Sequence, residues 1–84
     1  MPIPDQVDSE KLAEVALALL SLTMFNDHGA MRAWKGLDWD LLALLHEKGW
    51  ILEPKGKARS VVFTDEGQRL ALAAFEKHFA QERR

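Results

Sequence analysis

The chain has 84 residues, 48% of them hydrophobic, with a formal charge of −2 and no cysteine. That length builds one core whose burial is marginal, so a single domain is expected and partner chains are a natural recourse. Without cysteine there is no disulfide framework, thiolate metal site or thiol nucleophile, which points to a reducing, cytoplasmic setting.

Residues 1–7 contain two prolines and no periodicity, and read as a flexible N-terminal arm before a single domain over residues 8–84. They lack the basic-then-apolar pattern of a signal peptide, and the longest apolar run, residues 15–20, is too short to span a bilayer. No membrane partner is expected. Asp8 or Ser9 is placed to cap a helix running to about residue 24 or 25. At 3.6 residues per turn it gathers Glu10, Glu14 and Ser21 on a narrow polar stripe and spreads Leu12, Val15, Ala16, Leu19, Leu20, Leu22 and Met24 over the rest. One core face needs less than this. Two readings stay open: a central helix wrapped by its own domain, or a homodimer helix with Val15, Leu19 and Leu22 at the interface.

"NDHG" at residues 26–29 breaks that helix, because Asn, Asp and Gly adopt turn conformations at low cost. A short helical piece over residues 30–34 is expected next, ending at Gly36. "GLDWDLLALLHEKG" then carries a complete helix signature over residues 39–48. Asp38 caps it, Leu37 can staple onto Leu42, Lys48 sits in the negative last turn, and Gly49 ends it in a left-handed conformation. Leu41, Leu42, Leu44 and Leu45 form its buried arc. Opposite them, Trp39, Ala43 and His46 make a stripe at i, i+4 and i+7 that could anchor another protein, unless Trp39 folds back over Leu42.

"WILE" and "SVVFT" are short β-prone runs separated by Pro54 and Gly56, a hairpin signal. Asp65 with Gln68 approximates a capping box for a last helix to about residue 81, with Leu72, Phe75 and Phe79 facing inward. The expected core is Leu12, Leu19, Leu41, Leu45, Ile51, Val62, Phe63, Phe75 and Phe79. The fold class is mainly α with a two-stranded β wing.

This order, a helix ending in "LHEKGWI", a basic turn, then "FTDEGQRLA", resembles winged helix-turn-helix repressors of the multiple-antibiotic-resistance type over about residues 41–72. "AWKGLDWDLLALLHEKG" and "GKARSVVFTDEG" more closely resemble a family of small bacterial proteins known as a domain of unknown function. The repressor resemblance implies a winged-helix-like fold with residues 39–48 as recognition helix and residues 55–59 as wing. Asp40 and Glu47 depart from a reading helix, since carboxylates do not suit a phosphate-lined groove.

The charge distribution matters for that reading. Residues 1–30 carry net −4, residues 31–59 net +2, and residues 60–84 are balanced. Lys55, Lys57 and Arg59 alternate along the turn, roughly 6.6 Å apart on one side of an extended chain. With Arg32 and Lys35 they are the candidate phosphate contacts, for weak, salt-sensitive binding of duplex DNA. Cations and a proline also blunt an exposed sheet edge. His28, His46 and His78 have no metal-ligand spacing, and no nucleophile motif or phosphate loop is present. No enzyme activity, metal, cofactor or small-molecule substrate is therefore inferred. The functional expectation is a non-catalytic domain with weak DNA binding or transcription regulation through the basic wing. The alternative is a homodimeric or adaptor protein-interaction module without DNA binding.

Overall fold

The computed structural model describes residues 3, 5–56 and 58–81. In chain order these form α1 (Ser9–Leu20), a 3-10 turn (Ser21–Thr23), β1 (Phe25–Asp27), β2 (Ala30–Trp34), α2 (Trp39–Glu47), β3 (Ser60–Val62) and α3 (Asp65–Phe79). The strands make one antiparallel sheet in the order β1-β2-β3. The expected two-stranded wing is thus corrected to a three-stranded sheet, accompanied by three α-helices.

Residues 30–34, expected as a helical piece, are strand β2, and the reason lies in the turn before them. His28 and Gly29 both take positive φ, 52° and 88°, and Asp27 pairs directly with Ala30. Two consecutive left-handed residues are what a two-residue hairpin turn requires. Asn26 Oδ1 accepts the Gly29 N–H at 3.1 Å and closes it. Five residues are also too few to hold an isolated helix, whereas β2 is paired along both edges, with β1 and β3.

The expected pairing of the "WILE" segment onto β3 is present but short. Ile51 bridges to Phe63, the Leu52 N–H donates to the Val62 carbonyl at 2.9 Å, and the Thr64 N–H donates to the Trp50 carbonyl at 3.0 Å. Alternation along the strands sends Ala33 and Val61 into the core, and leaves Phe25, Arg32 and Val62 in one row across the outer face.

In the helices, small residues take the interior. α1 buries Ala13, Ala16, Leu17, Ala18 and Leu20, and α3 buries Gly67, Ala71 and Ala74. Small side chains let two backbones approach closely, and the larger side chains are displaced to the flanks. Leu19, Leu72 and Phe79, expected in the core, are therefore exposed. Leu12, Leu41, Val62 and Phe75 are half-buried. Leu45, Ile51 and Phe63 are buried as expected, and Leu42 joins them.

The α2 signature reads through to structure almost residue for residue. The Asp38 carboxylate accepts the Asp40 N–H at 2.9 Å, and Gly49 takes a φ of 79° just past the helix. For α3 the cap is Thr64, whose Oγ1 accepts the Gly67 N–H at 2.9 Å and donates to the Gly49 carbonyl at 2.7 Å. That one hydroxyl ties the end of α2 to the start of α3. Among the described residues no helix is long and apolar enough to cross a membrane.

Candidate interaction surfaces

The basic turn gathers some of its expected cations and not others. Lys55 and Arg59 are exposed, and Lys57 lies outside the described residues. Lys35 joins them: its N–H donates to the Arg59 carbonyl at 2.9 Å and its Nζ donates to the Gly56 carbonyl at 3.2 Å. Arg32 does not join. Its side chain lies on the outer sheet face, where Nε donates to Ser60 Oγ at 2.9 Å and sits 3.9 Å from Asp27 Oδ2. On the same sheet face the rings of Phe25 and Trp34 stack with centroids 5.1 Å apart. That aromatic pair could not be found while residues 30–34 were read as helix.

Trp39, Ala43 and His46 do lie together, on one wall of a groove between α2 and the chain leading into the basic turn. Asp40, Glu53, Pro54 and Lys55 complete a volume of about 530 Å³. Trp39 does not fold away: the residue is 59% exposed, with Lys35 Nζ 5.4 Å from its ring centroid. A cation at that distance over an indole is attracted by the ring's negative face. Deeper in the groove the His46 Nδ1 lies 3.0 Å from the Ile51 carbonyl. A carbonyl only accepts, so Nδ1 carries the proton, and Nε2 then faces Glu53 Oε2 at 3.5 Å.

The third surface runs along α1 and α3, which pack against each other. Glu14 meets Lys77 and His78 at one end, while Ser21 and Leu22 lie beside Leu72, Phe75 and Glu76 at the other. Of the interface residues expected on α1, Val15 is half-buried, and Leu19 and Leu22 are 42% and 64% exposed. Leu72 and Phe79 extend the stripe on α3 at 56% and 44%, and Phe79 lies against Phe75 with ring centroids 5.4 Å apart. The signal for these α3 residues was the Gly67, Ala71, Ala74 series on the other side of the helix.

Glu14 fastens one end of this pair. Lys77 Nζ donates to both carboxylate oxygens, at 3.1 and 3.4 Å, which holds the Glu14 pKa below its ordinary 4.5 against an opposing desolvation, with help from His78. A carboxyl whose folded pKa is depressed stabilises the fold above its unfolded value and loses that contribution as pH falls through the folded one. Wild type should therefore lose more thermal stability than Glu14→Gln on acidification below about pH 4.5. Parallel acid-side melting curves for the two proteins would contradict this.

Taken together, the helices on one side of a three-stranded antiparallel sheet and the three exposed surfaces define a small α/β domain. Among the described residues no group of three or more His, Asp or Glu side chains converges to hold a metal ion. The chain belongs to the family described as Domain of unknown function (DUF6429), which it matches over residues 8–81. It is 41% identical to the Uncharacterized protein y4hR of Sinorhizobium fredii (strain NBRC 101917 / NGR234) over 76 residues, covering 90% of this chain and 99% of that protein. No solved structure matches it. The resemblance carried by "WKGLDWD", "LHEKG" and "KARSVVFTDEG" is borne out at the level of this family.

Proposed function

We propose that this domain is a homodimeric protein-interaction module and that α1 and α3 form its self-association surface. The observation that carries the reading is the exposure of Leu19 on α1, Leu22 in the 3-10 turn that follows it, and Leu72 and Phe79 on α3, the two helices being packed against each other. Side chains of this size are normally the first to be buried, and a contiguous apolar patch on a small chain marks a contact site. A second copy is the occupant that closed symmetry favours, because one patch then serves both sides of an isologous interface. Helices of 12 and 15 residues are roughly 18 and 22 Å long, which suits the lower range of stable interfaces. Light scattering after gel filtration should report twice the 9.5 kDa chain mass at micromolar concentration. A monomer under those conditions would defeat the reading.

A second reading, nucleic-acid binding through a winged-helix-like scaffold, draws on the meeting of Lys35, Lys55 and Arg59 at one end of the molecule. The outward side of α2 gives it little help. Asp40 and Glu47 are exposed there, and a helix laid in a duplex groove would bring them towards phosphates.

A further inference from the structure

Beyond self-association, we propose that the groove beside Trp39 takes one nucleotide of a single-stranded nucleic acid, its base on the indole and its neighbouring phosphates on the cations of the turn. The groove's volume of about 530 Å³ falls within the range of small-ligand sites, and a flat aromatic wall is the usual partner for a base. Trp39 offers that wall. It is exposed at the first position of α2, and Ala43 one turn further on is small enough to leave the space beside the ring open. Pro54, buried in the opposite wall, cannot rotate its backbone freely and fixes the width.

The groove lining carries two carboxylates, Asp40 and Glu53, against Lys55, and further cations stand beside it on the side of the turn. Lys35 stands beside the Trp39 ring, with Nζ near both the ring and the Gly56 carbonyl, and Lys55 lines the groove. Arg59, joined through its carbonyl to the Lys35 backbone, continues the cations past the groove. Glu53 faces His46 Nε2 at 3.5 Å and also accepts the Lys55 backbone N–H at 3.2 Å, which holds its carboxylate in place. A carboxylate accepts from base N–H groups, the N3–H of thymine among them, and repels phosphate. Cations that extend beyond a one-base groove favour a strand over a free nucleotide. A duplex is disfavoured because its bases are stacked inward and reach such a groove only after being flipped out.

The test is fluorescence anisotropy of a short labelled oligothymidylate at several salt concentrations, with the same sequence as a closed duplex and with thymidine monophosphate as competitor. Binding should strengthen at low salt with a log–log slope near roughly −2, the value for three single-strand phosphate contacts. Trp39→Ala should weaken binding roughly 5- to 150-fold, the worth of one base–aromatic stack, and leave the salt slope unchanged. Lys55→Gln should flatten the slope. Both side chains are exposed, so circular dichroism should confirm an unchanged fold. Absence of binding at low salt, equal affinity of Trp39→Ala and wild type, or a duplex bound as tightly as the strand would each overturn the proposal. Displacement by a small excess of thymidine monophosphate would overturn the strand as the ligand.

Discussion

Gly67→Ala is expected to cost about 3 kcal/mol, a large share of the 5–15 kcal/mol that holds a typical domain together. Position 67 lies in the first turn of α3, where alanine is intrinsically the better helix former by roughly 1 kcal/mol. The glycine is therefore retained for what surrounds it. A Cβ there would overlap the Trp50 carbonyl oxygen, with the carbonyl carbon at 2.6 Å and Cα at 2.8 Å. All three atoms are backbone and cannot swing aside. The same carbonyl accepts the Thr64 N–H, and the next residue, Ile51, bridges to Phe63. Relief would have to break the pairing that joins α2 to β3, or lift α3 from its seat.

In a domain of this size the loss corresponds to a melting temperature lower by roughly 12–24 °C. Gly36→Ala is the matched control: a Cβ there meets nothing within 4 Å, and its effect should stay within about 0.5 kcal/mol. Thermal melts of the two variants that shifted alike would refute the packing argument.

The tie between Trp50 and Gly67 also explains which parts of the fold were legible in the sequence. α2 was readable because its start, stop and apolar arc are all local: Asp38, Gly49 and the leucines between them lie within one short window. The "FTDEG" motif was readable as a helix start, yet its glycine owes its identity to a residue 17 positions earlier, which periodicity does not report. The strand at Ala30–Trp34 was misread for the same reason. Its composition tolerates a helix, and what makes it a strand is the left-handed pair His28 and Gly29 together with an edge supplied by β3.

The core was misassigned by weighting size. Leu12 and Leu19 outrank Ala13 and Ala16 on any hydropathy scale, but two helices that approach closely select the small residues for the contact. For the sites, the Trp39 stripe was visible at helical spacing, whereas its groove needed Glu53 and Pro54 from another segment. Arg32 and Lys35 looked equivalent as cations, but Arg32 lies within β2 and points to the outer sheet face, whereas Lys35 follows the strand and reaches the basic turn.

The exposed leucines give the strongest expected effect on assembly. The double variant Leu22→Asp, Leu72→Asp should run as a monomer of 9.5 kDa at the micromolar concentrations where the proposed dimer is expected of wild type. Among the described residues Leu22 and Leu72 are the two most exposed large aliphatic side chains, and they line one shallow groove with Phe75. In a symmetric dimer each substitution acts twice, so four carboxylates would enter the interface. Burying an uncompensated carboxylate costs several kcal/mol, and each 1.4 kcal/mol is tenfold in dissociation constant. Dissociation beyond any working concentration follows. The fold should survive, because neither side chain belongs to the buried cluster of Leu17, Leu42, Leu45 and Ile51. An unchanged melting transition, extrapolated to low protein concentration, separates a lost interface from a lost domain. Persistence of the dimer in this variant would move self-association away from α1 and α3, and the outer sheet face with Phe25 and Trp34 would then be the surface to mutate.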